Sequence, residues 1–233
     1  MIYIKNRNLK RILYIVIICL GLLCFIYGLA SSQWGHNLLM KHYTNKTEMV
    51  SHNKIENNLK RKANFDPRSV HALRASDMVR GWNYKAKPIG YLVIPSLNMK
   101  NSIFNGYGLH GNNLLYGVAT MKPNQIMGAG NYALAGHYMN TQTVFHNLSK
   151  AKVGKNVYLT DLKFIYKYRI SSVKHGVSEK RVDVIDDHME MTQVTMITCE
   201  SLTGGSLRTV VQGDLLATYL VTNKKLKQLN LIS

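Results

Sequence analysis

Gln193-Val194-Thr195-Met196-Ile197-Thr198-Cys199 (QVTMITC) reads as a β-strand. It is rich in β-branched residues and free of Gly, Pro and charge, and Glu200-Ser201-Leu202-Thr203-Gly204-Gly205 ends it. Side chains alternate across a strand, so Val194, Met196 and Thr198 share one face while Thr195, Ile197 and Cys199 share the other. A second β-prone run follows at 208–220, and a hairpin between the two returns Arg208 to the side of Cys199. Outward from this pair lie further short β-prone runs at 89–94, 114–116, 131–136, 156–159, 164–171 and 182–185. Glycines such as Gly106, Gly108, Gly128, Gly130 and Gly154 fall between them. Short strands with short connections predict an antiparallel sandwich or barrel. One short amphipathic helix is predicted within 69–82, where Val70, Leu73, Met78, Val79 and Trp82 recur at roughly helical spacing.

The chain has 233 residues, so it holds one domain with appendages. A hydrophobic content of 46% excludes wholesale disorder, and no internal period marks a fibre or solenoid. Thirty Lys and Arg against twelve Asp and Glu give a formal charge of +18, which calls for an anionic membrane, wall polymer or nucleic acid. The amino terminus narrows the choice. Residues 12–30 (ILYIVIICLGLLCFIYGLA) carry no charge, and at about 1.5 Å per residue they match the hydrocarbon core of a bilayer. Lys5, Arg7, Lys10 and Arg11 precede this stretch and the first acid is Glu48, so the positive-inside rule puts the amino terminus in the cytoplasm. A cleaved signal peptide is the competing reading, with Leu29-Ala30-Ser31-Ser32 as its cleavage site, but its apolar region is usually shorter. The expected organisation is a basic tail at 1–11, a membrane anchor at 12–30, a polar cationic stalk at 31–64, a folded β-rich domain at 65–222 and a tail at 223–233. The stalk reads as partly helical, with a charge that suits an anionic membrane surface or wall polymer, and a solvated spacer is the plainer alternative, favoured for any individual Lys. Nucleic acid is not expected as a partner, because no basic stripe is interleaved with aromatics and the ectodomain faces away from the cytoplasm.

Cys19 and Cys24 lie within the apolar stretch, where packing is the ordinary role and palmitoylation the minor one. Cys199 is then the one cysteine outside the membrane, either buried and inert or kept for its reactivity. A nucleophilic thiol needs a neighbouring base or cation. Among nine histidines His137 stands apart, because it ends the apolar run Tyr132-Ala133-Leu134-Ala135-Gly136, whose small residues allow close approach. Arg208 is the third candidate, able to hold a substrate carbonyl or an oxyanion.

The run Thr195-Met196-Ile197-Thr198-Cys199, with an Arg on the next strand, resembles the active-site signature of the sortases. Gly130-Asn131-Tyr132-Ala133-Leu134-Ala135-Gly136-His137 is similar to the segment that carries the sortase histidine. Further likeness lies in Ile89-Gly90 through Ile94-Pro95-Ser96, Thr120-Met121-Lys122-Pro123, Val157-Tyr158-Leu159-Thr160-Asp161-Leu162 and Val184-Ile185-Asp186, and the nearest class is A, the housekeeping sortases of Gram-positive bacteria. The resemblance implies a closed eight-stranded sortase-type β-barrel with short helices, behind one amino-terminal transmembrane helix. It implies a membrane-bound cysteine transpeptidase that cleaves LPXTG-like sorting signals of surface proteins between Thr and Gly and passes the acyl group to an amine of the peptidoglycan precursor lipid II. Cys199 is the implied nucleophile, His137 the general acid and base and Arg208 the substrate and oxyanion clamp, with Thr198 and Ala135 lining the substrate site. A Cys–His–Arg set is expected rather than a Cys–His–Asn set, with Glu200 on the other face.

Met196 replaces the usual Leu, a volume-conserving swap. Some class A sortases are calcium-stimulated through carboxylates before the histidine. Residues 122–130 contain none, so no metal, cofactor or calcium dependence is expected. Asp66-Pro67 is similar to the start of the lid of pilus-building class C sortases, but Arg68 stands where that lid carries an aromatic, and a helix start is the simpler reading. The alternatives are a pilin-polymerising sortase with a lysine acceptor and a non-catalytic wall-binding module.

Overall fold

The computed structural model describes residues 7–45, 49–139, 143–188, 191–201 and 204–232. Lys5, Glu48, Leu202 and Thr203, named above, lie outside the described residues. Three helices come first: α1 (Arg7–Ser31), α2 (Gln33–Asn45) and α3 (His52–Leu59). A short helix, α4 (Ala75–Gly81), precedes strands β1 (Pro88–Ile94), β2 (Met99–Phe104), β3 (Gly117–Thr120), β4 (Asn131–Ala135), β5 (Asn156–Thr160), β6 (Phe164–Ser178), β7 (Gln193–Cys199) and β8 (Leu207–Leu220). Helix α5 (Asn223–Gln228) ends the chain.

The eight strands close into a barrel in the order β1-β2-β3-β4-β7-β8-β6-β5. The expected architecture is present, with one difference: the barrel is mixed. β2 pairs with β3, and β4 with β7, in parallel. A parallel pair needs a crossover rather than a hairpin, and the long β2–β3 connection through the 3-10 turn Leu109–Leu115 supplies one. The interior is packed by alternate residues, including Leu92 and Ile94 of β1, Tyr132 and Leu134 of β4, Val194 and Met196 of β7 and Val211 of β8. β1 is buried on both faces, because its outward Tyr91 and Val93 are covered by Ile55 of α3 and by Leu226 and Leu229 at the carboxyl end.

Two expected strands are 3-10 turns. At 114–116 the chain completes the turn Leu109–Leu115, where the Asn113 side chain donates to the Gly106 carbonyl at 2.8 Å and stands in for a strand partner. Val182–Ile185 is a turn held by the Arg181–Asp183 ion pair at 2.7 Å, with Val182 exposed. β2 was not expected, because its buried Asn101 hides the alternation. That side chain donates to the Val144 carbonyl at 3.1 Å, which allows it inside.

The amino-terminal segments divide sharply. Leu9–Ser31 has a mean hydropathy of 2.8 and none of its apolar window is buried against protein, so by length and composition α1 is able to cross a membrane. The segment expected to be a solvated stalk instead packs on the barrel. Met40 and Tyr43 of α2 and Ile55 of α3 are fully buried, and His42 stacks on Trp82 at 5.5 Å. Asn58 of α3 donates to the Pro88 carbonyl at 2.8 Å. These few apolar residues are diluted among Asn, Lys and His, so composition conceals a face that spacing i, i+3 reveals.

Candidate active site

Parallel pairing of β4 with β7 builds the site. Ala135 lies opposite Ile197, so the next residues on each strand bring His137 alongside Cys199 at the same end of the barrel. Two hydrogen bonds extend the pairing past β4: Gly136 N–H donates to the Ile197 carbonyl at 3.1 Å, and the Thr198 hydroxyl donates to the Gly136 carbonyl at 2.9 Å. Gly136 is small for a reason, since a Cβ there would sit 2.7 Å from the Phe145 ring and 2.9 Å from Val144. On the other side, β7 and β8 place Cys199 directly opposite Arg208.

Strand register thus brings Cys199, Thr198, Ala135, His137 and Arg208 to one end of the barrel, each in a different setting. Cys199 is half-buried, and burial raises its thiol pKa above the ordinary value, with Arg208 pulling it down and Glu179 pushing it up. His137 is enclosed on most sides while keeping some exposure, and burial lowers its imidazole pKa to about 4. Among the described residues neither the Cys199 thiol nor the His137 ring makes a hydrogen bond. Thr198 is 2% exposed and its hydroxyl faces inward to Gly136 rather than outward. Ala135 is half-buried between Ala119 and Ile197. Glu200 turns to the β6–β8 side, where it accepts from Gly176 N–H at 2.7 Å and lies 3.2 Å from the Thr209 hydroxyl.

Arg208 is not free. Its guanidinium pairs with Glu179 at 2.7 Å and donates to the carbonyls of Gly205 and, at 3.0 Å, Leu207. Glu179 had no signal in the sequence, because only the pairing of β6 with β8 brings it near. His71 and Asp77 were equally hidden: with Ser69, Leu73 and His110 they line a narrow cleft that His137 shares. Ahead of β4, Asp187 accepts from Lys122 Nζ at 2.7 Å and from Asn131 N–H, so a lysine already pairs with a carboxylate beside residues 122–130. No group of three or more His, Cys, Asp or Glu side chains suited to a metal occurs among the described residues.

The sortase domain model matches residues 92–216, more than half of the chain. This chain belongs to the sortase family. It is similar to Sortase A of Listeria monocytogenes, at 33% identity over 93% of this chain and 96% of that protein. Sortase A of Streptococcus agalactiae is 35% identical over 70% of this chain and 69% of that one. The crystal structure of the Listeria monocytogenes sortase A superposes with a TM-score of 0.59 at 34% identity, covering 63% of this chain and 99% of that one. These likenesses agree with class A. The sortase is a cysteine transpeptidase that acts in anchoring surface proteins, and its apolar α1 accords with a membrane anchor.

Proposed function

We propose that this sortase cleaves an LPXTG-like sorting signal between Thr and Gly through a thioacyl intermediate on Cys199, and that the acceptor is the amine of a lipid II cross-bridge. The observation that supports this reading is the convergence of Cys199, His137 and Arg208 at one barrel end by strand register. With the thiol pKa raised and the imidazole pKa lowered, the resting pair is thiol and neutral imidazole, a base ready to take the thiol proton. Attack of the sulfur on the Thr carbonyl carbon forms a tetrahedral oxyanion, which in this reading the Arg208 guanidinium holds. Substrate must draw that guanidinium from Glu179. The carbon–nitrogen bond then breaks as imidazolium protonates the leaving glycine amine, and neutral His137 next deprotonates the incoming amine, which displaces sulfur.

Thr198 serves this centre by tying the His137 segment to β7, and Ala135 is small at the adjoining position. The proposed topology is single-pass, with the amino terminus cytoplasmic and the barrel outside, where a lipid-linked acceptor meets the tethered enzyme. No calcium or other cofactor is needed in this reading, since Lys122 already neutralises Asp187.

The test incubates the full chain in detergent micelles with an LPXTG-type peptide and one of three amines: a lipid II cross-bridge peptide, an oligoglycine or a lysine-bearing pilin-like peptide. Ligation of the cross-bridge amine to the Thr carboxyl is the expected product. Preference for lysine would move the enzyme to the pilin-polymerising reading. Failure to cleave the LPXTG-type peptide with any of the three amines would overturn the proposal.

A further inference from the structure

Residues 66–82 are not part of the barrel, yet they cover His137. The segment is pinned at both ends. Asp66 accepts from Arg68 N–H at 2.9 Å to set the turn Pro67–Ser69, which sits so close to the 109–115 turn that a Cβ on Gly111 would lie 2.9 Å from the Ser69 carbonyl oxygen. At the other end the Tyr116 hydroxyl donates to the Gly81 carbonyl at 2.7 Å, and Tyr43 of α2 packs against Tyr116 at 5.2 Å. Between these anchors lies Asp77, 5% exposed. Its carboxylate accepts from Arg74 N–H at 2.9 Å, from His71 Nε2 at 3.1 Å and from Arg80. Burial opposes its ionisation, but those donors outweigh burial and hold its pKa below the ordinary range. An anion is thus built into the wall of the cleft that His137 lines.

We propose that Asp77 is a positioning residue for His137: its buried carboxylate faces the imidazole across the shared cleft and favours the imidazolium that forms during catalysis, while His71 tempers that effect. The proposal rests on the reading of His137 as the acid and base. The titratable groups that share the cleft with His137 are Asp77 and His71 from the 66–82 segment and His110 from the 109–115 turn; Arg80 pairs with Asp77, and Cys199 ends the neighbouring strand β7, opposite Arg208 of β8. Asp77 raises the proton affinity of His137 against burial, and the protonated form of His71 lowers it. Arg80 neutralises part of the Asp77 charge, so the net effect on His137 is moderate. Like charges across a desolvated cleft repel and opposite charges attract, so these two residues act on His137 with opposite signs.

The experiment titrates the His137 ring proton by NMR in the full chain in micelles, for wild type, Asp77→Asn, Asp77→Glu and His71→Asn. No substrate is needed, so the result is independent of the peptide specificity proposed above. Asp77→Asn is expected to move the His137 midpoint to lower pH and His71→Asn to higher pH, with Asp77→Glu near wild type. With a cleavable peptide, Asp77→Asn is expected to lower kcat about three- to tenfold with KM within twofold. Should Asp77→Asn fail to fold, Asp77→Ser, which removes the charge but keeps an acceptor for Arg74 N–H, takes its place with the same expected downward shift. An unmoved midpoint, or shifts of the same sign in both variants, would overturn the proposal. Normal titration shifts without cleavage of any signal would instead overturn the functional reading.

Discussion

Thr198→Val removes one hydroxyl from the strand end that carries Cys199 and changes almost nothing else in shape. Thr198 is 2% exposed and donates to the Gly136 carbonyl at 2.9 Å, one residue before His137. Valine fills the same space, so no cavity opens. The loss is a buried hydrogen bond whose acceptor is left without that donor, worth about 1–3 kcal/mol. For a chain of this size that lowers Tm by roughly 3–10 °C. The functional effect follows from the tether. His137 is carried by the released segment, and a misplacement of about 1 Å in a catalytic group can cost on the order of 100-fold in rate. The expected result is a kcat lowered about 10- to 100-fold, with KM changed by less than about threefold, and Thr198→Ser close to wild type. Thermal circular dichroism and peptide cleavage followed by chromatography measure the two quantities. An unchanged Tm together with a raised KM would refute the reasoning, because it would mean that the hydroxyl meets substrate rather than Gly136.

Other outcomes follow from the same geometry. Iodoacetamide labelling of Cys199 is expected to be slow at pH 7 and to accelerate above it, and Arg208→Ala should slow it further, because burial raises the thiol pKa and Arg208 lowers it; fastest labelling below pH 7 would contradict this. His137 is neutral in the folded chain down to about pH 4, whereas its unfolded form takes a proton near 6.5, so its share of stability is lost as pH falls from 6.5 towards 4. That share is at most about 3 kcal/mol, and it should shrink in His137→Gln when chemical denaturation is compared at pH 7 and 4.5. A chain beginning at residue 65 loses the buried Met40, Tyr43 and Ile55 contacts, and should melt at least about 10 °C below one beginning at residue 33, as calorimetry would show. Calcium titration should leave cleavage unchanged, and a severalfold rise in activity on calcium addition would contradict this.

Much of this arrangement is legible in the sequence, and the reasons for the rest are physical. β7 has the bounds expected, because 193–199 is an uninterrupted β-prone run between a turn and a Gly-rich loop. Cys199 and Arg208 could be paired from chain order alone, since a hairpin is a local structure. The approach of His137 required more: β4 and β7 are parallel neighbours far apart in sequence, and only family likeness linked them in one dimension. Asn101 and Asn113 misled the reading of β2 and of 114–116, because buried amides that satisfy themselves on carbonyls look like surface residues in a pattern of hydropathy. Glu179 and Asp77 were invisible for another reason. Their meaning lies wholly in what they face, Arg208 and the His137 cleft, and neither sits in a motif. The docked α2 and α3 show the same limit, with Met40, Tyr43 and Ile55 lost among polar neighbours.

The central claim is that Cys199 takes the acyl group of a surface-protein signal. Intact-protein mass spectrometry of the full chain, quenched in acid after brief mixing with an LPXTG-type peptide, tests it most directly. A mass increase equal to the peptide acid through its Thr less one water, mapped to Cys199 and absent in Cys199→Ala, is the predicted result. No adduct with any sorting-type peptide, or an adduct that persists in Cys199→Ala, would contradict it.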